Sequence, residues 1–157
     1  MTKIQRFTVI GAGHGGRAMA AHLALMGFDV ALYNRTPEHI EGIKARKGID
    51  LEGGEGGPHG FAELALVTSD IQEAVQHAEM LMVVVPSSAH VNIALDVAPY
   101  LRDGQIILLH PGRTCGAIEF DKVLRDSGCQ AQVIVAEAET FIYASRADGP
   151  AHLDVLT

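Results

Sequence analysis

The stretch Phe7-Thr8-Val9-Ile10-Gly11-Ala12-Gly13-His14-Gly15-Gly16 narrows the possible folds more than any other part of the chain. Four strand-forming residues run into a G-x-G-x-x-G turn, and a helix-period pattern follows at once. In such a turn Gly11 makes the tight bend, Gly13 removes a side chain that would block a pyrophosphate, and Gly16 lets helix and strand pack closely. The helix N-terminus then offers free N–H groups and the positive end of its dipole to an anion. Residues 11–16, including Ala12, His14 and Gly15, are therefore expected to cradle a dinucleotide. Glycine-rich turns also arise for purely structural reasons; the strand before this one and the helix after it favour coenzyme binding.

Gly27 closes that helix, Asp29-Val30-Ala31-Leu32-Tyr33 reads as a second strand, and Asn34-Arg35-Thr36 follows. Asn34 lies 23 residues after Gly11, close to the offset of about 20 at which such folds read the adenosine ribose. A coenzyme with a free 2′-hydroxyl usually meets Asp or Glu there. Asn34 has no charge to repel a 2′-phosphate, and Arg35 and Thr36 can donate hydrogen bonds to one. NADP(H) is thus the expected coenzyme and NAD(H) the second choice. Thr36-Pro37 also suits a helix start and Arg35 a solvated loop, so a structural role for these residues stays open.

At 157 residues the chain is expected to form one dinucleotide-binding domain over 1–157, with a core of useful size. The high hydrophobic share of 48%, against 20% charged and 5% aromatic residues, suits an α/β protein with a buried parallel sheet. A net charge of −7 argues against nucleic acid or an anionic membrane as partner. Cys115 and Cys129 lack C-x-x-C spacing, which fits a reducing cytoplasm. Residues 1–6 lead directly into the first strand without a signal peptide, and no apolar run approaches the ~20 residues of a membrane span. The eight histidines show no ligand spacing, so no metal site is expected.

Strand and helix patterns alternate along the rest. A short helix is expected from Pro37 to about Lys47. Residues 49–67 break the rhythm: a Gly-rich turn at 53–58 separates two short extended runs, 49–52 and 64–67. Asp70-Ile71-Gln72-Glu73 opens a helix with capping-box character that runs to about Ala78. Met80-Leu81-Met82-Val83-Val84-Val85 is a strand buried on both faces, and Pro86 ends it. Further patterns give a helix around 91–101 bent at Pro99, a strand at 105–109, a helix at 116–127 and a strand at 132–136. Residues 148–150 form a turn before another extended run to Thr157. The expected fold is a Rossmann-type, doubly wound α/β domain with a mostly parallel six-stranded sheet and a small extended-turn insertion around 49–67.

Ligands of such sheets bind beyond the carboxyl ends of the strands. That rule adds Val85, Pro86, Ser87, His90 and Pro111 to the coenzyme candidates. His90 orients coenzyme or substrate on this reading, although an idle histidine at a helix entry is as common. Arg113 can clamp a carboxylate, Thr114 stands beside it, and Glu137 and Glu139 can meet a substrate ammonium. Ion pairing for Arg113 and helix capping for the two glutamates are the plainer alternatives. No general acid–base pair emerges, so the catalytic residues are left unassigned.

Several segments together resemble the N-terminal coenzyme domain of the octopine/nopaline-type opine dehydrogenases. They are Ile10–Gly16 with residues 20–25, Val84-Val85-Pro86-Ser87-Ser88-Ala89-His90, His110-Pro111-Gly112-Arg113-Thr114 with Gly116-Ala117 and Glu119-Phe120, and Ala136-Glu137 through Thr140 to Tyr143-Ala144. The Pro-Gly-Arg-Thr-x-Gly-Ala segment is the most specific of these. His14 stands where Asn is usual, and Ser145 where a Cys is frequent. The resemblance implies an oxidoreductase acting on CH–NH groups, which condenses an α-keto acid with an amino acid and reduces the imine with NAD(P)H. It also implies that the catalytic His and Asp belong to a C-terminal helical domain absent from this chain. The chain alone is then expected to be inactive, needing that domain or a separate subunit. Rival expectations are another two-domain dehydrogenase, of 2-hydroxy acid or glycerol-phosphate type, and a stand-alone dinucleotide-sensing regulatory module.

Overall fold

The computed structural model describes residues 3–53, 57–141, 144–147 and 151–156. Six strands, β1 (Arg6–Ile10), β2 (Asp29–Tyr33), β5 (Leu66–Thr68), β6 (Met80–Val83), β7 (Ile106–Leu109) and β8 (Ile134–Glu137), form the main sheet in the order β5-β2-β1-β6-β7-β8. Every pairing is parallel, so the Rossmann-type expectation holds and the sheet is parallel throughout. The chain winds outward from β1 to β5, returns to β6 and winds the other way. The switch point therefore falls between β1 and β6, where ligands of doubly wound sheets bind.

Among the described residues five α-helices accompany the strands: α1 (His14–Leu25), α2 (Glu41–Arg46), α3 (Ile71–His77), α4 (His90–Val97) and α5 (Gly116–Asp126). Two apolar cores form. In one, Ala18, Met19, Ala20 and Ala21 of α1 join Val9, Val30 and Leu32. In the other, Ala74 and Val75 of α3, Ile93 and Ala94 of α4, and Phe120 and Leu124 of α5 join Ile10, Leu81 and Ile107. Burial on both faces accounts for the unbroken apolar runs of the central strands. Thr8 is the polar exception, and its hydroxyl donates to the Ala74 carbonyl at 2.8 Å. Asp70 caps α3 as expected, accepting from the N–H groups of Gln72 and Glu73. The Glu73 carboxylate accepts instead from the Thr68 hydroxyl, whose oxygen takes the Asp70 N–H.

The insertion is half of a second sheet. Strands β3 (Gly48–Gly53) and β4 (Gly60–Glu63) join β9 (Ala144–Ala147) and β10 (His152–Leu156) in the order β4-β3-β10-β9. β10 lies parallel to β3 and antiparallel to β9. Of the expected turn at 53–58, residues 54–56 lie outside the described residues, as do 148–150. The expected run 64–67 divides: the N–H groups of Leu64 and Ala65 donate to the Lys47 and Val30 carbonyls, and β5 begins only at Leu66. Ile49, Leu51, Ala62 and Ala151 pack into the α1 core. α1 is thereby covered on two sides, and four consecutive residues, 18–21, are all nearly inaccessible.

Candidate coenzyme and substrate site

The glycine-rich loop owes its shape to contacts within the protein at two positions. Gly11 has φ +107°, and a β-carbon there would lie 2.5 Å from the Val84 carbonyl oxygen. At Gly16 a β-carbon would collide with the Gly11 carbonyl, the close helix–strand approach expected from the motif. Gly13 differs: among the described residues, nothing beyond its own surroundings in the chain comes within 4 Å of a β-carbon there. Gly13 is also the N-cap of α1, which has no side-chain cap and no acidic residue in its first turn. The N-terminus of α1 thus borders an open space, with no carboxylate in its own first turn to repel an anion.

Two side chains brace the loop. Asn34 Oδ1 accepts the Ala12 N–H at 3.2 Å, while its Nδ2 donates to the Thr36 carbonyl at 3.0 Å. Asn34 therefore ties the phosphate loop to the end of β2. Arg17, half-buried on α1, donates from Nε to the Ala12 carbonyl at 2.8 Å and from its guanidinium to the His39 carbonyl at 3.0 Å. Burial holds its pKa below the ordinary arginine value. Sequence reasoning passed over Arg17; its place one turn into a glycine-loop helix was the available signal.

A cleft opens on each side of the loop. Toward β2 it is bounded by Gly11, Tyr33, Asn34, Arg35, Pro86 and Asn92, with Asp96 at its edge. Burial first, and then the charge of Asp96, raise the Tyr33 hydroxyl above its usual pKa. Asn92 and Asp96 are additions that no motif announced. Thr36 is half-buried, with no side-chain cap bond to the turn it opens. Toward β6 and β7, the second cleft is bounded by residues 13–16, Val85, Ser87, Pro111, Arg113 and Phe141.

Arg113, Thr114, Glu137 and Glu139 surround a third concavity that adjoins the second through Arg113. The sequence singles out all four as substrate candidates, and they line one concavity. Arg113 and Cys115 hold left-handed backbone, φ +63° and +62°, each costing about 1–2 kcal/mol for a residue with a side chain. Cys115 offers α5 no side-chain cap; Glu137 supplies one from β8, its Oε2 accepting the Ala117 N–H at 2.7 Å. One carboxylate oxygen of Glu137 is therefore committed to the helix.

His90 departs from expectation. It is 1% exposed and is not among the residues lining these three clefts. His110 is buried as well, and its neighbour Pro111 forms the wall. Among the described residues neither ring has a hydrogen-bond partner. Burial lowers both pKa values; in His90 the charges of Glu119 and Glu137 oppose that fall. Both imidazoles are accordingly held neutral.

Known proteins resemble this chain in sequence and fold. The family described as the NAD binding domain of 6-phosphogluconate dehydrogenase matches residues 6–128. The opine dehydrogenase of Arthrobacter sp. (strain 1C) is 38% identical over 155 residues, which are 99% of this chain and 42% of that protein. A glycerol-3-phosphate dehydrogenase [NAD(P)+] of Vibrio campbellii is 34% identical over 76% of this chain and 36% of its own length. Among solved structures, octopine dehydrogenase with NADH and pyruvate superposes with a TM-score of 0.84 at 22% identity, over 96% of this chain and 40% of that one. The chain thus spans less than half the length of these relatives. No helix among the described residues is long and apolar enough to cross a membrane. The chain belongs to the family of the NAD binding domain of 6-phosphogluconate dehydrogenase, and it is an NAD-binding domain of opine dehydrogenase-like type.

Proposed function

We propose that this chain is the coenzyme half of a cytoplasmic enzyme that joins an α-keto acid to the amino group of an amino acid and reduces the imine. The single observation carrying the reading is the continuity of the open space at Gly13 with the concavity of Arg113, Thr114, Glu137 and Glu139. A dinucleotide seated on α1 would place its reactive end beside a cation able to clamp a carboxylate. When bound, the coenzyme supplies hydride; the residues of this chain hold it and orient its partner. The 38% relative named opine dehydrogenase supports the substrate class. The glycerol-phosphate alternative has a match over a smaller share of the chain.

NADP(H) is the preferred coenzyme on this reading, because Arg35 borders the adenosine cleft and Asn34 brings no charge. None of the described residues near the substrate concavity pairs a general acid with a base, so catalysis needs a C-terminal domain or separate subunit. Calorimetric titration with NADPH and NADH tests the site and its preference together. Arg35→Ala should weaken NADPH selectively, by roughly the 1.5–3 kcal/mol of a charge-assisted hydrogen bond. Equal weakening of both coenzymes would remove Arg35 as discriminator. Steady oxidation of NADPH with pyruvate and an amino acid by this chain alone would refute its dependence on a second part.

A further inference from the structure

We propose that Phe141 is the side chain against which the nicotinamide half of the coenzyme packs. The inference rests on the coenzyme reading and deepens it. With the pyrophosphate at α1 and the adenosine at the end of β2, the nicotinamide must run the other way, across the ends of β6 and β7. The cleft there has the glycine-rich loop on one side and Pro111 and Arg113 on the other, and Phe141 reaches into it from the segment after β8. Its ring is part of the cleft lining, close to both the glycine-rich loop and His110. It lies 5.8 Å from the His110 ring, tilted 49°, and a β-carbon at Gly15 would be 3.2 Å from its Cε1.

Gly15 is an independent sign. The G-x-G-x-x-G pattern asks for no glycine at that position, and Gly15 has no left-handed backbone to require one. Its missing β-carbon makes room for the ring. Yet 43% of Phe141 stays exposed, leaving an aromatic surface open inside a cleft whose expected occupant ends in a flat ring. Offset-stacked or edge-on contact between two such rings is the favourable arrangement.

ADP-ribose separates the possibilities, because it retains the adenosine and pyrophosphate and lacks the nicotinamide. Phe141→Ala should weaken NADPH and NADH by about three- to tenfold and leave ADP-ribose within about twofold of the unmodified chain. Phe141→Trp should retain affinity for all three. The chain contains no tryptophan, so the emission of the new indole should fall when NADH binds and stay when ADP-ribose binds. That readout serves even if the alanine variant fails to fold. Equal weakening of all three ligands by Phe141→Ala would make the ring a mere prop for the loop. No change, or tighter binding, would equally overturn the inference, as would indole emission unaltered at saturating NADH. Should the unmodified chain fail to bind ADP-ribose, the coenzyme reading itself falls and this inference with it.

Discussion

At Gly11 the backbone sits at φ +107° with the Val84 carbonyl pressed against the position of a β-carbon, whereas at Gly13 a β-carbon would enter open space. The motif writes both as glycine for different reasons, and substitution separates them. Gly11→Ala must strain the turn or push β6 away, and is expected to lower stability by about 1–3 kcal/mol, read from the urea midpoint. Gly13→Val has no such neighbour. It should cost no more than about 1 kcal/mol at an N-cap, while weakening NADPH at least roughly tenfold by occupying the space of the phosphates. Unchanged NADPH affinity in a folded Gly13→Val protein would contradict a dinucleotide seated at this turn.

Among the elements, α5 shows how a residue read for chemistry can also serve architecture. Cys115 at its N-cap offers no side-chain bond, and Glu137 closes the end from a strand 20 residues on. Glu137→Ala should therefore cost about 0.5–2 kcal/mol, the range of a lost cap. Glu139→Ala, at an exposed position nearby, should stay within about 0.5 kcal/mol. Equal midpoints for the two variants would deny Glu137 its capping role. The contrast marks where the sequence was legible. Local signals are legible: Asp70 as a cap, the loop 11–16 between strand and helix, and the apolar run from Met80 as a buried strand, although that strand ends at Val83 and not at Val85. The second sheet was not read, because β3 pairs with β10 about 100 residues later, and no local pattern encodes that partner. Its trace was indirect, in an α1 too apolar for a helix covered on one side only. The same limit applied to the site. Topology brings Arg113, Thr114, Glu137 and Glu139 together, since Glu137 ends β8 and the others follow the ends of β7 and β8. The burial of His90 and the approach of Phe141 to Gly15 depend on packing between segments distant in the chain.

Across the whole molecule, the two unpartnered imidazoles couple folding to pH. His90 and His110 both titrate lower in the folded state because burial disfavours their charged form, with Glu119 and Glu137 pulling His90 partly back. Above the unfolded value of about 6.5, both folded and unfolded chains carry neutral rings, and stability is at its full level. As the pH falls below that value, the unfolded chain takes up protons that the folded chain refuses. Stability then drops by at most about 1.4 kcal/mol per pH unit for each ring, until the folded pKa is reached. His22 is shifted in the same direction by burial and adds to the slope. Glu79, held low by the N–H groups of Gln5 and Arg6, acts in a separate window: its contribution is lost only as the pH falls below the ordinary carboxylate range. Urea midpoints between pH 7.5 and 5.0 should thus decline in the unmodified chain. The decline should be shallower in a His90→Gln, His110→Gln double variant, with His22 contributing to the slope that remains. A double variant that lost stability as steeply as the parent over that range would show that neither buried ring is the group refusing the proton.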